Sequence, residues 1–254
     1  MAEWCAMPRL ESTFRRLFDG CLDLLAPRVC AGCRKEHGSN VPFCDGCAAS
    51  LELAPSRDVG GTPVIAAGRY AGPLAPAVSA LKYEHRVDLA RPLGWWLATA
   101  LRGLEGLSSA VVVPVPLHRI RLAERGFNQA ALLGRFAAER LQLPLEPMAL
   151  ARIRWEGRQV GLRAAERFDN VSGAFTVRGS GSQLRGRPVV LLDDVLTTGA
   201  TAAACLAALR GAGAHPLCVA VLGIAGTDTR RSRCYPRPGV SHRPPCPHSP
   251  AADR

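Results

Sequence analysis

Val189-Val190-Leu191-Leu192-Asp193-Asp194-Val195-Leu196-Thr197-Thr198-Gly199-Ala200-Thr201 is the stretch that decides the fold of this chain. It predicts a strand, a pair of carboxylates, a turn of small residues and the start of a helix. The four apolar residues 189–192 are typical of a strand buried on both faces of an α/β sheet. In such sheets ligands bind at the carboxyl ends of the strands, where Asp193 and Asp194 lie.

The turn after the carboxylates favours phosphate binding. Thr197, Thr198, Gly199, Ala200 and Thr201 offer N–H and hydroxyl groups, and a helix starting near Thr201 adds its positive N-terminal dipole. Carboxylates accept hydrogen bonds from ribose hydroxyls, so the segment suits a sugar phosphate. It resembles the phosphoribosyl-pyrophosphate (PRPP) motif of type I phosphoribosyltransferases, two acidic residues followed by a T-T-G-x-T loop. A generic strand and turn is the alternative.

Composition limits the classes of protein. With 254 residues, 48% of them apolar, the chain suits one domain of ordinary size and a smaller one. No apolar run predicts a membrane span and no secretory pattern is visible, so we expect a cytoplasmic protein. The net charge of +11 comes almost wholly from arginine, since Lys35 and Lys82 are the only lysines. This charge suits a nucleic acid, a phosphorylated substrate or a solvated surface.

Four of the ten cysteines are regularly spaced. Cys30, Cys33, Cys44 and Cys47 form two C-x-x-C pairs, each with glycine before its second cysteine. This pattern predicts a zinc ribbon, and four thiolates leave no open position, so the Zn²⁺ would be structural. His37 as a ligand, a redox pair and incidental cysteines are the alternatives. Two further cysteines, Cys205 and Cys218, lie in apolar patterns typical of the core.

Apolar periodicity divides the chain into three parts. It predicts an amphipathic helix and the ribbon at 12–53, an α/β domain at 64–226 and a disordered Pro- and Arg-rich tail at 227–254, with a linker at 54–63. Within the larger domain it predicts strands at 64–70, 110–113, 174–177, 189–192 and 217–222, and helices near 74–84, 88–102, 125–141 and 201–211.

Two arginine-rich segments are candidates for substrate contacts. The first follows the loop at 114–117, which we expect beside the carboxylate pair and which in type I phosphoribosyltransferases receives pyrophosphate, an anion that guanidinium groups suit. The second, 151–172, corresponds in that fold to a mobile loop that closes over the substrate. A solvated basic surface is the alternative for both. The arginines concerned are Arg119, Arg121 and Arg125, then Arg163 and Arg167.

The motifs together resemble the ComF family over roughly residues 15–225. The resemblance rests on the ribbon, on Arg125-Gly126-Phe127-Asn128-Gln129, on Gln159 with Arg167 and Asn170, and on the segment 193–201. That family joins an N-terminal zinc ribbon to a type I phosphoribosyltransferase domain and is linked to natural competence. The tail departs from the family pattern.

The resemblance implies a site for PRPP. Asp193 and Asp194 would contact the ribose hydroxyls and serve as catalytic residues, 197–201 would hold the 5′-phosphate, and Mg²⁺ would bridge pyrophosphate and ribose. The expected activity is transfer of phosphoribosyl to an acceptor that the residues do not identify. The alternative is a non-catalytic adaptor that binds a nucleotide or single-stranded DNA and docks a competence helicase through the ribbon.

Overall fold

The computed structural model describes residues 29–37, 41–153, 173–179 and 181–226. The helix predicted within 12–26 and the tail at 227–254 lie outside the described residues. So do Arg163 and Arg167 of the second arginine-rich segment.

Most strands belong to one five-stranded sheet of order β1-β2-β7-β6-β3. Strands β2, β7, β6 and β3 run parallel, while β1 is a short antiparallel edge strand. A separate antiparallel pair consists of β4 and β5. The bounds are β1 Asp58–Val59, β2 Thr62–Arg69, β3 Val111–Pro114, β4 Leu150–Arg152, β5 Phe175–Val177, β6 Pro188–Leu196 and β7 His215–Ile224.

The helices cover both faces of the sheet. Helices α2, α3 and α5 bury their apolar residues in one core cluster, and α6 packs with β4 and β5 in a second. The bounds are α1 Asp45–Ala49, α2 Leu74–Tyr83, α3 Ala90–Leu101, α4 Arg119–Arg125, α5 Gln129–Leu141 and α6 Ala200–Gly211, with 3-10 turns at Val87–Leu89, Leu107–Ser109 and Ser182–Leu184. None of the described helices has the length and apolar character to cross a membrane.

Strand β6 lies at the centre of this layered arrangement. Its residues Val190 and Leu192 belong to the cluster under α2, α3 and α5, whereas Val189 and Leu191 belong to the cluster under α6. All four are fully buried, because side chains alternate between the faces of a strand. The α/β class and the doubly buried motif strand are therefore confirmed.

Three local predictions need correction. The helix expected to open at Arg125 begins only at Gln129, because Gly126 adopts a φ of +75° and the side chain of Asn128 caps α5, and a separate helix, α4, ends at Arg125. The linker at 54–63 contains β1 and the start of β2. Strand β5 pairs outside the main sheet with β4, which short apolar periodicity does not predict.

The cysteine-containing segment packs on the face of the larger domain that α2, α3 and α5 cover. Cys30 and Cys47 share the core cluster of α2 and α3. Gly32 approaches Pro73 so closely that a Cβ built on it would lie 2.5 Å from the proline Cβ. The two parts of the chain therefore share one apolar core within the described residues.

Candidate functional site

The two predicted carboxylates lie near the carboxyl end of β6. Because they are consecutive in a strand, their side chains point to opposite faces. Asp194 faces α2 and forms an ion pair with Lys82, with 2.7 Å between Oδ1 and Nζ. The side chains of Asp194 and Lys82 are only 6% and 18% exposed, so this charge pair is largely shielded from water.

Asp193 has a different environment. Its Oδ1 accepts the backbone N–H of Asp194 at 2.8 Å, and its charge influences the thiol of Cys205 on α6. Burial, reinforced by the neighbouring Asp194 carboxylate, raises the pKa of Asp193 to about 7, although Lys82 opposes the shift. Burial thus favours the neutral form of Asp193, whereas Asp194 is paired with a cation.

Two residues that the sequence analysis did not single out complete this region. Burial alone would lower the pKa of Lys82, but the Asp194 carboxylate outweighs it and raises the pKa. The phenol of Tyr70, just beyond β2, lies close enough for Lys82 and Asp194 to influence its pKa, which burial raises. The one available signal was a lysine on an otherwise apolar helical pattern, since buried lysines usually have partners.

The small-residue turn forms the loop between β6 and α6. Gly199 adopts a φ of +88° at the helix N-cap, a backbone conformation that glycine enters at little cost. The Thr198 hydroxyl accepts the Ala200 N–H at 3.4 Å. Thr201 lies in the first turn of α6, where backbone N–H groups and the helix dipole favour an anion. The helix therefore begins within the motif, as expected.

The loop after β3 lies beside the motif strand. Val115 donates its N–H to the carbonyl of Leu192 at 2.8 Å. The side-chain amide of Asn128 donates to the carbonyl of Val115 at 3.0 Å, while its oxygen caps α5. Asn128 thus ties this loop to the helix that follows. The adjacency predicted from parallel strand order is confirmed.

The described arginines that follow this loop lie on α4. The guanidinium of Arg125 lies 5.0 Å from the ring centroid of Tyr83, the residue after Lys82. Arg121 lies 3.8 Å from Glu124, in a partly exposed pair, and Arg119 is exposed at the start of the helix. Arg125 therefore contacts the end of α2, the helix that carries Lys82.

The four spaced cysteines come together as one cluster with the donor atoms for a metal ion. The Sγ atoms of Cys30, Cys33, Cys44 and Cys47 all lie within 4.8 Å of one another. The Cys33 and Cys44 sulfurs are 3.7 Å apart. A tetrahedron with metal–sulfur bonds of about 2.3 Å places its sulfurs about 3.8 Å apart, so the donor set and spacing fit a four-coordinate metal ion.

The thiols of this cluster differ in acidity. Burial opposes ionisation of Cys30, but backbone N–H groups, including that of Cys44 at 3.3 Å, stabilise its thiolate and lower the pKa to about 6. Burial and the neighbouring sulfurs instead raise the pKa of Cys47. Without a cation, four adjacent thiolates would repel one another, whereas a divalent ion would stabilise all four.

This chain is similar in sequence to several known proteins. Competence protein F of Haemophilus influenzae is 29% identical over 197 residues, covering 72% of this chain and 84% of that protein. The DNA utilization protein YhgH of Escherichia coli is 30% identical over 186 residues, covering 69% and 81%. An adenine phosphoribosyltransferase of Mycobacterium avium is 40% identical over 84 residues, covering 32% and 46%. No model of a known protein family matches the chain.

The two longer similarities agree with the architecture. A mostly parallel sheet carries the acidic pair at the end of its motif strand, and a four-cysteine cluster precedes that sheet in the chain. This is the phosphoribosyltransferase-like fold with an N-terminal cysteine segment that the motifs predict. Because the similarity to competence protein F and YhgH spans most of each protein, the chain belongs to the ComF family of competence and DNA utilization proteins.

Proposed function

We propose that this protein binds PRPP at the carboxyl end of β6. The observation that carries the proposal is a pair of consecutive carboxylates, with Asp194 shielded beside Lys82, followed by the loop at 197–199 and the N-terminus of α6. Carboxylates accept from vicinal hydroxyls, and a helix N-terminus favours a phosphate dianion. These two groups lie at opposite ends of a ribose 5-phosphate, so one such ligand satisfies both.

Each part of PRPP has a candidate partner. Asp194, whose Oδ1 pairs with Lys82, and Asp193 are proposed to accept hydrogen bonds from the ribose hydroxyls. The loop and Thr201 would hold the 5′-phosphate. Arg121 and Arg125, after the loop beside β6, are suited to pyrophosphate, and Arg163 and Arg167 are proposed to close over it. Mg²⁺, bound with PRPP, would neutralise charge on the leaving pyrophosphate.

The proposed reaction is phosphoribosyl transfer to an acceptor of unidentified structure. The bond between ribose C1 and the pyrophosphate oxygen breaks, and pyrophosphate leaves with the electron pair. A nucleophilic atom of the acceptor then bonds to C1 and loses its proton. Asp193, whose pKa is raised to about 7, is suited to take up a proton in the neutral range.

We also propose that the cysteine cluster holds a structural Zn²⁺. Four sulfur ligands at tetrahedral spacing leave no coordination position for a substrate. The cluster shares its core with α2 and α3, so bound metal would stabilise the face of the domain that carries Lys82.

Calorimetric titration of PRPP and Mg²⁺ into the metal-loaded full chain tests the binding proposal. We expect binding to wild type and its loss in the double variant Asp193→Asn with Asp194→Asn. Because that variant leaves Lys82 buried without a carboxylate, Thr201→Val provides a second test that spares the ion pair. Asp88→Asn, an exposed aspartate paired with Arg86, is the matched control. No binding by wild type would contradict the proposal.

A second candidate is binding of single-stranded DNA. The relatives are named for competence and DNA utilization, and the net charge is +11. Phosphate contacts by Arg119, Arg121 and Arg125 would make the affinity depend on salt. We expect wild type to retain a single-stranded oligonucleotide at low salt. Variants with Arg→Gln changes at these positions should retain it more weakly, and Asp193→Asn should retain it as wild type does. Absence of retention at low salt would contradict this function.

A further inference from the structure

Arg57, the residue before β1, donates two hydrogen bonds to the loop between β6 and α6. Nη1 of Arg57 donates to the carbonyl of Thr197 at 2.7 Å, and Nη2 donates to the carbonyl of Thr198 at 3.1 Å. The residues joined by the first hydrogen bond are 140 positions apart in the chain. One planar guanidinium therefore forms hydrogen bonds with two successive peptide groups of the loop.

These two hydrogen bonds determine where the N–H groups of the loop point. In a trans peptide, the carbonyl and the N–H of the same peptide plane point in opposite directions. The carbonyls of Thr197 and Thr198 face Arg57, so the N–H groups of Thr198 and Gly199, in the same peptide planes, point away from it. Both donors are thereby directed to the other side of the loop.

The strand that follows Arg57 supports the loop as well. Val59 in β1 is 7% exposed and packs against Gly199, where a built Cβ would lie 3.3 Å from the valine Cγ2. At the other end of this hairpin, Arg210 of α6 donates to the carbonyl of Gly60 at 2.9 Å and to the hydroxyl of Thr62 at 2.6 Å. The hairpin is therefore fixed at two separate points.

We propose that Arg57 is a positioning residue for phosphate recognition. By holding the carbonyls of Thr197 and Thr198 toward itself, it keeps the N–H groups of Thr198 and Gly199 oriented toward the 5′-phosphate. Its positive charge lies on the carbonyl side of the loop that receives the anion. The inference rests on the proposed function, because it assigns the loop to the phosphate of a phosphoribosyl ligand. It adds a residue from the segment that joins the cysteine cluster to the sheet.

The test compares ligands that do and do not contain the 5′-phosphate. Calorimetric affinities of the full chain are measured for ribose 5-phosphate, for PRPP with Mg²⁺ and for pyrophosphate with Mg²⁺. We expect Arg57→Met to weaken the first two by about ten-fold or more, through loss of two charge-assisted hydrogen bonds, and to leave pyrophosphate unchanged. Arg57→Lys, which retains a charge but not the fork, should recover part of the loss.

Arg210→Met is the matched control, since it releases the same hairpin at the end that does not contact the loop carbonyls. We expect it to preserve the affinity ratio between ribose 5-phosphate and pyrophosphate. Equal affinities of wild type and Arg57→Met for all three ligands would overturn the inference. The inference would also fail if Arg57→Met lost affinity for pyrophosphate and ribose 5-phosphate to the same extent. It would fail as well if Arg210→Met changed the ratio of these two affinities as Arg57→Met does, because either result indicates a purely structural contact.

The same titrations separate this inference from the proposed function. If wild type binds ribose 5-phosphate in an Arg57-dependent manner but does not bind PRPP, the proposed function fails and the role of Arg57 stands. If wild type binds PRPP and Arg57→Met binds it equally well, the role of Arg57 fails and the proposed function stands. Wild type that binds neither ligand overturns both.

Discussion

At the scale of single residues, the charge of the site depends on Lys82. It is 18% exposed and lies 2.7 Å from a carboxylate that is 6% exposed, so each member compensates the burial of the other. Removing one member of such a pair leaves a buried, unpaired charge, which costs more than the pair contributes. The ion pair with Lys82 thus offsets the cost of burying the Asp194 carboxylate.

We predict that Lys82→Met lowers the free energy of unfolding by about 3 kcal/mol. Adding Asp194→Asn to it should restore much of that loss, since the double variant has no buried charge. Urea unfolding of the four members of this mutant cycle at pH 7.5 measures the coupling. A double variant whose loss equals the sum of the two single losses would contradict the buried pair.

Asp193 should make stability depend on pH. Its pKa rises from 3.8 to about 7 on folding, mainly through burial, so the folded state retains a proton that the unfolded chain has lost. Stability should therefore fall as pH rises from about 4 to 7 and remain lowered above that.

The variant Asp193→Asn should remove this pH dependence while keeping the acceptor for the Asp194 N–H. We expect it to be more stable than wild type at pH 8, with the difference shrinking toward pH 4. Urea unfolding of both proteins across this range is the measurement. A stability difference that grows as the pH is lowered would show that the sign is wrong.

At the scale of elements, the loop between β6 and α6 depends on one backbone conformation. Gly199 has a φ of +88° and lies against Val59. We predict that Gly199→Ala costs about 1 kcal/mol in stability, through the positive φ and the contact with Val59, and weakens PRPP binding at least about ten-fold. Gly211→Ala, at the far end of α6 with open space around it, is the control.

Urea unfolding and calorimetry measure these two effects. Gly211→Ala should leave binding unchanged and stability unchanged or higher, because alanine favours the helix. Equal binding by Gly199→Ala and wild type would contradict a role of this loop conformation in holding phosphate.

Elements also show where prediction from sequence succeeded. The strand at 189–192 and the helix after it follow from a continuous apolar run and a small-residue turn, both local signals. The break at Gly126 between α4 and α5 and the short strands β1 and β4 were missed. Strands β1 and β4 have two and three residues, too few to show an alternating apolar pattern, and each is defined by its pairing with another strand, β2 or β5.

At the scale of the whole molecule, the cysteine cluster packs into the core that supports the site. We predict that metal removal lowers the melting temperature by at least about 5 °C, because binding energy of a structural metal is folding energy. Cys33→Ser should reduce the metal content to well below one zinc per chain. Elemental analysis and thermal unfolding of the reduced protein measure both.

Cys218→Ala is the control for this prediction. Cys218 is fully buried in β7 and does not belong to the cluster, so its variant should keep full metal content even if it unfolds earlier. An unchanged melting temperature after complete metal removal would contradict a stabilising role for the ion.

The sequence by itself determined the α/β class, the grouping of the four spaced cysteines and the order of carboxylates, loop and helix, because each depends on residues that are near neighbours along the chain. Only the tertiary structure decided that Asp194 pairs with Lys82 and that Arg57 donates hydrogen bonds to the loop between β6 and α6. These contacts join residues from separate elements, and burial and hydrogen-bond geometry arise only when those elements pack together.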